Sequence, residues 1–169
     1  MIKTPHGQLL IIFSFLFLPT FAQYRVDAVN PKQDSANVFH LIDNAEILMQ
    51  RSAYDSALKL SLEALSISQR KKLYLGEAMA HLQLGDVYYR KSFIPPMGYH
   101  DTAALKLGMQ LKDSFVIAQA YYRHGQYFMS LDRLKEAGLY FEKALPTNPY
   151  PDDVRREILE CKKRLKQVH

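Results

Sequence analysis

Six histidines, one cysteine and a few neighbouring carboxylates are the residues of this chain that could make or break bonds. His6, His40, His81, His100, His124 and His169 each stand apart. None forms a His-x-Glu or His-Glu-x-x-His pattern, the spacing that puts metal ligands and a base on one helical face. No Gly-x-Ser-x-Gly elbow presents a nucleophilic serine, and no glycine-rich loop could cradle a phosphate. Asp152 and Asp153 adjoin at an expected helix start, where carboxylates offset the macrodipole and need no further role. Cys161 has no partner for an intrachain disulfide. In a terminal helix it reads as a small packing residue, with intermolecular pairing as the alternative. His81 and His124 read as seam histidines. The chain therefore reads as a non-enzyme with no metal and no cofactor, and its function must lie in binding.

The elements that would position a binding surface show as a repeat. Stretches started at Val38, Ala78 and Ala118 fall into register at a spacing of 40 residues. Their eighth residues are small (Ala45, Gly85, Gly125), their eleventh are large and apolar (Leu48, Tyr88, Phe128), and their twenty-seventh are alanine (Ala64, Ala104, Ala144). A glycine inside a helix costs roughly 1 kcal/mol relative to alanine. It is tolerated where a neighbouring helix comes too close for a side chain. The pattern predicts antiparallel helix pairs on a small-against-small seam with large plugs, an all-α solenoid whose stacked units build a concave binding surface.

The third unit resembles the tetratricopeptide repeat, carrying Tyr121, Gly125, Phe128, Ala137, Phe141, Ala144 and Pro149 at that family's marked positions. The first matches with Leu41, Ala45, Leu48, Ala57 and Ala64, but has Ser61 where an aromatic is common. The second has His81, Leu84, Gly85 and Tyr88, with Met97 and Asp101 replacing a small residue and an aromatic. At about 40 residues the first two units resemble the long-repeat variety of this family. The resemblance implies three units, 38–77, 78–117 and 118–151, and a groove lined by the first helix of each. The groove residues it implies are Phe39, Ile42, Glu46 and Met49; Met79, Leu82, Asp86 and Tyr89; and Gln119, Tyr122, Gln126 and Met129. Chaperone-binding relatives clamp a carboxylate tail with lysine and asparagine, where this chain has Ile42/Glu46, Leu82/Asp86 and Tyr122/Gln126. The implied partner is instead a protein or peptide segment that is amphipathic or basic. A stand-alone piece related to sensor-kinase input domains, and an enzyme accessory or hydrolase with an unrecognised site, are the alternatives.

The N-terminus is a different object. Lys3 precedes the apolar run Leu9–Leu18, and Thr20 and Ala22 provide small residues before a cut at Gln23, the layout of a secretory signal peptide over residues 1–22. A membrane span needs ~20 apolar residues, so the run is short for one. An exported chain, periplasmic or secreted, is expected, with an uncleaved signal anchor as the alternative. Removing Met1–Ala22 leaves 147 residues with 21 basic and 17 acidic side chains. This modest excess is densest at Lys162–Lys166, where basic residues suit a last helical turn, and a nucleic-acid partner is not expected.

Residues 23–37 read as an extended leader, with Asp34 or Ser35 capping a first helix that runs to about Gln50. Further helices are expected at Tyr54–Arg70, Tyr74–Lys91, Asp101–Lys112, Ser114–Ser130, Arg133–Leu145 and Asp152–Gln167. The last, within a capping segment 152–169, carries Val154, Ile158, Leu159, Leu165 and Val168 on one side and a polar back on the other. A proline in a helix interior costs ~3 kcal/mol or more. Pro95 and Pro96 are therefore expected to open Ser92–Tyr99 into an apolar loop, tucked against the shortened helix or exposed as a contact patch.

Overall fold

The computed structural model describes residues 31–167. The expected signal peptide, the leader up to Asn30, and Val168 lie outside the described residues. Pro31–His169 forms one compact unit with its own core. Its described residues contain seven helices and no strand: α1 (Pro31–Gln50), α2 (Tyr54–Lys71), α3 (Tyr74–Arg90), α4 (Ile94–Leu111), α5 (Ser114–Ser130), α6 (Leu134–Ala144) and α7 (Pro151–Gln167). Each helix packs on its chain neighbours, and the parallel helices α1, α3 and α5 also touch in sequence. The odd-numbered helices thus form one layer and α2, α4 and α6 the other, the helix-pair solenoid that the repeat predicts.

Alanine dominates the seams because the helices approach closely. Ala64 and Ala80 pack with Val38 and Ile42; Ala78, Ala104 and Ala120 pack with Leu82 and Val116; Ala137 and Ala144 pack with Phe141, Val154 and Cys161. A Cβ at Gly125 would collide with the Phe141 ring, which is why only glycine fits there. The same position of the second unit, Gly85, faces the Asp101 carboxyl instead of an aromatic ring. In the first unit the plug is Ser61, whose hydroxyl donates to the Ala57 carbonyl at 2.8 Å.

The 40-residue period also appears in the backbone. Ser52, Ser92 and Asp132 end α1, α3 and α5 in the left-handed region (φ 59°, 56° and 59°), and Lys72 and Lys112 end α2 and α4 there (55° and 55°). The amide after each donates to the carbonyl five residues back, as from Ala53 to Leu48 and from Phe93 to Tyr88, both at 2.9 Å. That bond satisfies a carbonyl the helix end would leave free, and offsets the ~1–2 kcal/mol that the left-handed conformation costs a non-glycine residue.

Two boundaries differ from expectation. Helix α1 begins at Pro31, so residues 31–37 are helical and not extended. Proline suits a first helical position, having a preset φ and no amide to leave unbonded. Lys71 at the end of α2 holds this first turn through Asp34 (3.2 Å). Likewise Ser92–Tyr99 is not a loop: α4 starts at Ile94 with both prolines in its first turn. Amides of a first turn have no intrahelical acceptor, so two prolines there remove no hydrogen bond. Met97 is fully buried, whereas Phe93 and Tyr99 are exposed. The segment therefore neither tucks away as a whole nor forms one patch. In α7, Val154 is buried as expected but Leu159 is 67% exposed.

Candidate peptide-binding groove

The inner layer of α1, α3 and α5, continued by α7, carries the residues that the resemblance implies for binding. Three of the twelve are not on its surface. Ile42, Leu82 and Met49 are buried among the seam alanines, and Met49 also accepts from Gln83 Nε2 at 3.2 Å through its sulfur. These positions point at the next helix of the stack, and the following unit covers them. Phe39, Met79, Tyr89, Gln119, Tyr122, Gln126, Met129 and Asp86 are half-buried, and Glu46 is exposed.

The polar side chains of this face satisfy one another across neighbouring helices. Gln83 on α3 donates to Glu46 on α1 (3.4 Å), and Arg123 on α5 pairs with Asp86 on α3 (2.8 Å). Both rungs join a residue of one unit to one 37 positions later. Asp86 is thus engaged inside the protein, and it is held by Arg123, a residue that no marked repeat position singles out. An arginine flanked by Tyr121, Tyr122 and His124 in an otherwise apolar helix is the signal the sequence offers for it.

Behind this rung lies Asp101 of α4, fully buried, with both carboxyl oxygens lacking a hydrogen-bond partner. Burial pushes its pKa up to about 7, Asp86 adds to the rise, and Arg123 opposes both. The guanidinium itself is desolvated, but the two carboxylates outweigh that and raise its pKa. Next to Asp101, His100 faces His81 with their Nδ1 atoms 2.9 Å apart, and stacks on Tyr88. Burial first, and then His81, lowers the His100 pKa to about 4; burial lowers those of His81 and His124 as well. His81 and His124 are seam residues, the latter against Tyr140. At the α7 end, burial and then the carboxylates of Glu157 and Asp153 push the Tyr122 phenol up to about 12. Burial also raises Glu157. Cys161 is buried beneath α6, and its thiol is pushed up by burial and then by Glu157.

These groups set opposed pH dependences. Asp101 binds its proton more tightly folded than unfolded, so its contribution is full below pH ~4 and is lost as pH rises to about 7. The histidines act oppositely: theirs is full above pH ~6.5 and is lost as pH falls through their depressed pKa values. Asp101→Asn isolates the first term. The stability of the parent relative to this variant should drop by a few kcal/mol, in order of magnitude, between pH 4 and 7 and then level off. Denaturant titrations giving a flat difference across that window would contradict the buried, unpartnered carboxyl.

The arrangement matches solved structures. The first TPR domain of human RPAP3 superposes with a TM-score of 0.66 at 17% identity, over 79% of this chain and 95% of that one. The first TPR of Spaghetti (RPAP3), bound to the HSP90 peptide SRMEEVD, gives 0.62 at 18% identity, over 78% and 95%. The fold is that of a tetratricopeptide-repeat domain. A TPR-containing domain at the C-terminus of a Plasmodium falciparum FK506-binding protein gives 0.63 at 20% identity, over 84% and 97%. No family model and no curated protein matches the chain. At these identities the likeness is one of fold. The TPR inner face of this chain is distinguished by its own residues: acids at Glu46, Asp153 and Glu157, tyrosines at 89 and 122, and an internally neutralised centre at Asp86–Arg123.

Proposed function

We propose that this chain is an exported, non-enzymatic protein-interaction module that binds a basic or amphipathic segment along the face of α1, α3 and α5. The observation that carries this reading is the electrostatics of that face. Arg123, its central cation, is tied to Asp86 and influenced by Asp101 and Glu46, while Glu46 is exposed; Asp153, also exposed, is paired with Arg156 of its own helix. Cationic side chains of a partner would meet carboxylates, and its apolar or aliphatic parts would meet Phe39, Met79, Tyr89 and Tyr122. The Spaghetti domain binds an acidic peptide. Here the lysine and asparagine of a carboxylate clamp are replaced by Ile42/Glu46, Leu82/Asp86 and Tyr122/Gln126, which favours the opposite charge. Export rests on Lys3, Leu9–Leu18 and the small residues before Gln23. N-terminal sequencing of the chain recovered outside the cytoplasm should begin at Gln23, and an intact Met1 would count against cleavage.

Binding is tested by fluorescence anisotropy with a lysine-rich amphipathic peptide, using SRMEEVD as the acidic control. The basic peptide should bind and the control should not. Tyr89→Ala should weaken binding by ~1–2 kcal/mol, about 5–30-fold, because tyrosine offers large contact area with few rotors to freeze. Tyr122 packs on Phe141 (ring centroids 5.5 Å apart), so Tyr122→Phe is the variant that spares the core. Charge reversal belongs at Glu46, since Asp86 is committed to Arg123. Equal binding of both peptides, or indifference to Glu46→Lys, would sink the reading.

A further inference from the structure

The rung between α3 and α5 leaves part of its hydrogen-bonding capacity unused. Arg123 gives one amino group to Asp86 (2.8 Å), while its Nε is buried without a hydrogen-bond partner among the described residues. Asp101 of α4 is fully buried, and neither of its carboxyl oxygens has such a partner either. The two side chains are neighbours: the atoms nearest to a side chain built on Gly85 would be the Asp101 carboxyl and then the Arg123 stem. A buried donor beside two buried acceptors, all unsatisfied, is a half-made network that a proton or a rotation of the guanidinium would complete. Arg123 thus stands between two carboxyls, Asp86 on the groove face and Asp101 behind it.

The charges that act on Asp101 are Arg123 from α5 and Asp86 from α3, and Glu46 of α1 acts in turn on Arg123. The neighbouring His100 of α4 and His81 of α3 face each other at 2.9 Å, and burial biases both to the neutral form. On α5, His124 packs on Tyr140 and is biased the same way. Burial pushes the Asp101 pKa up to about 7, so this carboxyl is neutral in mild acid and ionised in mild base. When neutral, it leaves the guanidinium to Asp86. When ionised, it competes for the guanidinium, and the attraction is strengthened by the low dielectric around a buried pair.

We infer that Arg123 is shared between the two carboxyls, and that Asp101, by drawing it inward, releases Asp86 as a contact for a cationic group of the partner. This rests on the reading of the groove as a site for a basic segment. Asp86 lies one turn before Tyr89 on α3, so a lysine ammonium seated on it would have the tyrosine beside it. The ammonium replaces Arg123, the guanidinium turns to Asp101, and Asp101 passes its proton to water. Binding and ionisation therefore favour each other. The partner should bind more tightly as pH rises to about 7, where Asp101 loses its proton, and gain little above it. In mild acid Arg123 occupies the contact that the partner's cation would take.

Anisotropy titrations with the lysine-rich amphipathic peptide, run from about pH 5.5 to about pH 8.5, test this. The parent should gain roughly 10-fold in affinity across that range, the effect of about one proton released on binding. Asp101→Asn keeps the volume of the protonated carboxyl and cannot ionise. It should fold, bind at the parent's acid level and gain less than ~2-fold over the same range. Asp86→Asn should lose the rise as well, because the released contact is gone. A rise of equal size in Asp101→Asn would overturn the inference, since another acid such as Glu157 would then be its source. Nitrogen NMR of the Arg123 Nε–H gives a readout without peptide. Its signal should move with the Asp101 titration in the parent and stay in place in Asp101→Asn. A stationary signal in the parent would overturn the sharing even if the peptide binds. A moving signal with no binding at any pH would instead sink the groove reading, and Asp86 as a partner contact with it.

Discussion

Arg123→Met should destabilise the protein by about 3–5 kcal/mol, the range expected when one member of a mostly buried charge pair is removed. Methionine keeps most of the volume and the apolar stem of arginine, so the loss reports charge rather than a cavity. Asp86 loses its 2.8 Å partner, and Asp101 loses the only cation that opposes its desolvation. Asp101 can relieve itself by taking a proton, so the penalty should shrink below pH 7, where the carboxyl is neutral. The double change Arg123→Met with Asp101→Leu should recover part of the loss, with a coupling of at least ~1 kcal/mol in the four-way cycle. Melting of Arg123→Met within error of the parent would mean that the triad is solvated and energetically idle.

Gly125→Leu should cost ~3 kcal/mol or more and separate α5 from α6. Overpacking a core typically costs ~1–3 kcal/mol. Here even a Cβ strikes the Phe141 ring, and that ring is fully buried in a cluster with Ala137 and Ala144, without room to withdraw. Gly138→Ala in the same helix pair is the control. A Cβ there meets nothing within 4 Å, so the variant should gain up to ~1 kcal/mol from helix propensity alone. If Gly125→Leu melted like the parent, the close seam would be absent.

The seam that Gly125 and Phe141 form is legible in the amino-acid sequence. Small and large residues recur there at fixed spacing because each contact joins a helix to its immediate neighbour, and stacked units repeat that contact. Helix pairs, their order and the 40-residue period all follow from such local geometry. The helix start at Pro31 and the two prolines of α4 are not legible in the same way. Proline both breaks a helix interior and suits a first turn, and burial of Met97 within the helix pair decides between these. Nor does the pattern separate Ile42, Leu82 and Met49, which the next unit covers, from Glu46 and Tyr89 on the same helices. The Asp86–Arg123–Asp101 cluster is the least legible. Its members come from α3, α5 and α4: the Asp86–Arg123 pair keeps the spacing of the Glu46–Gln83 contact one unit earlier but exchanges a neutral donor for a cation, and Asp101 stands where the other units have Ser61 and Phe141. The chain alone determined the stack of helix pairs, because nearest-neighbour packing writes itself as repetition. Which polar groups meet within it, and at what charge, was decided only where three helices converge and exclude water.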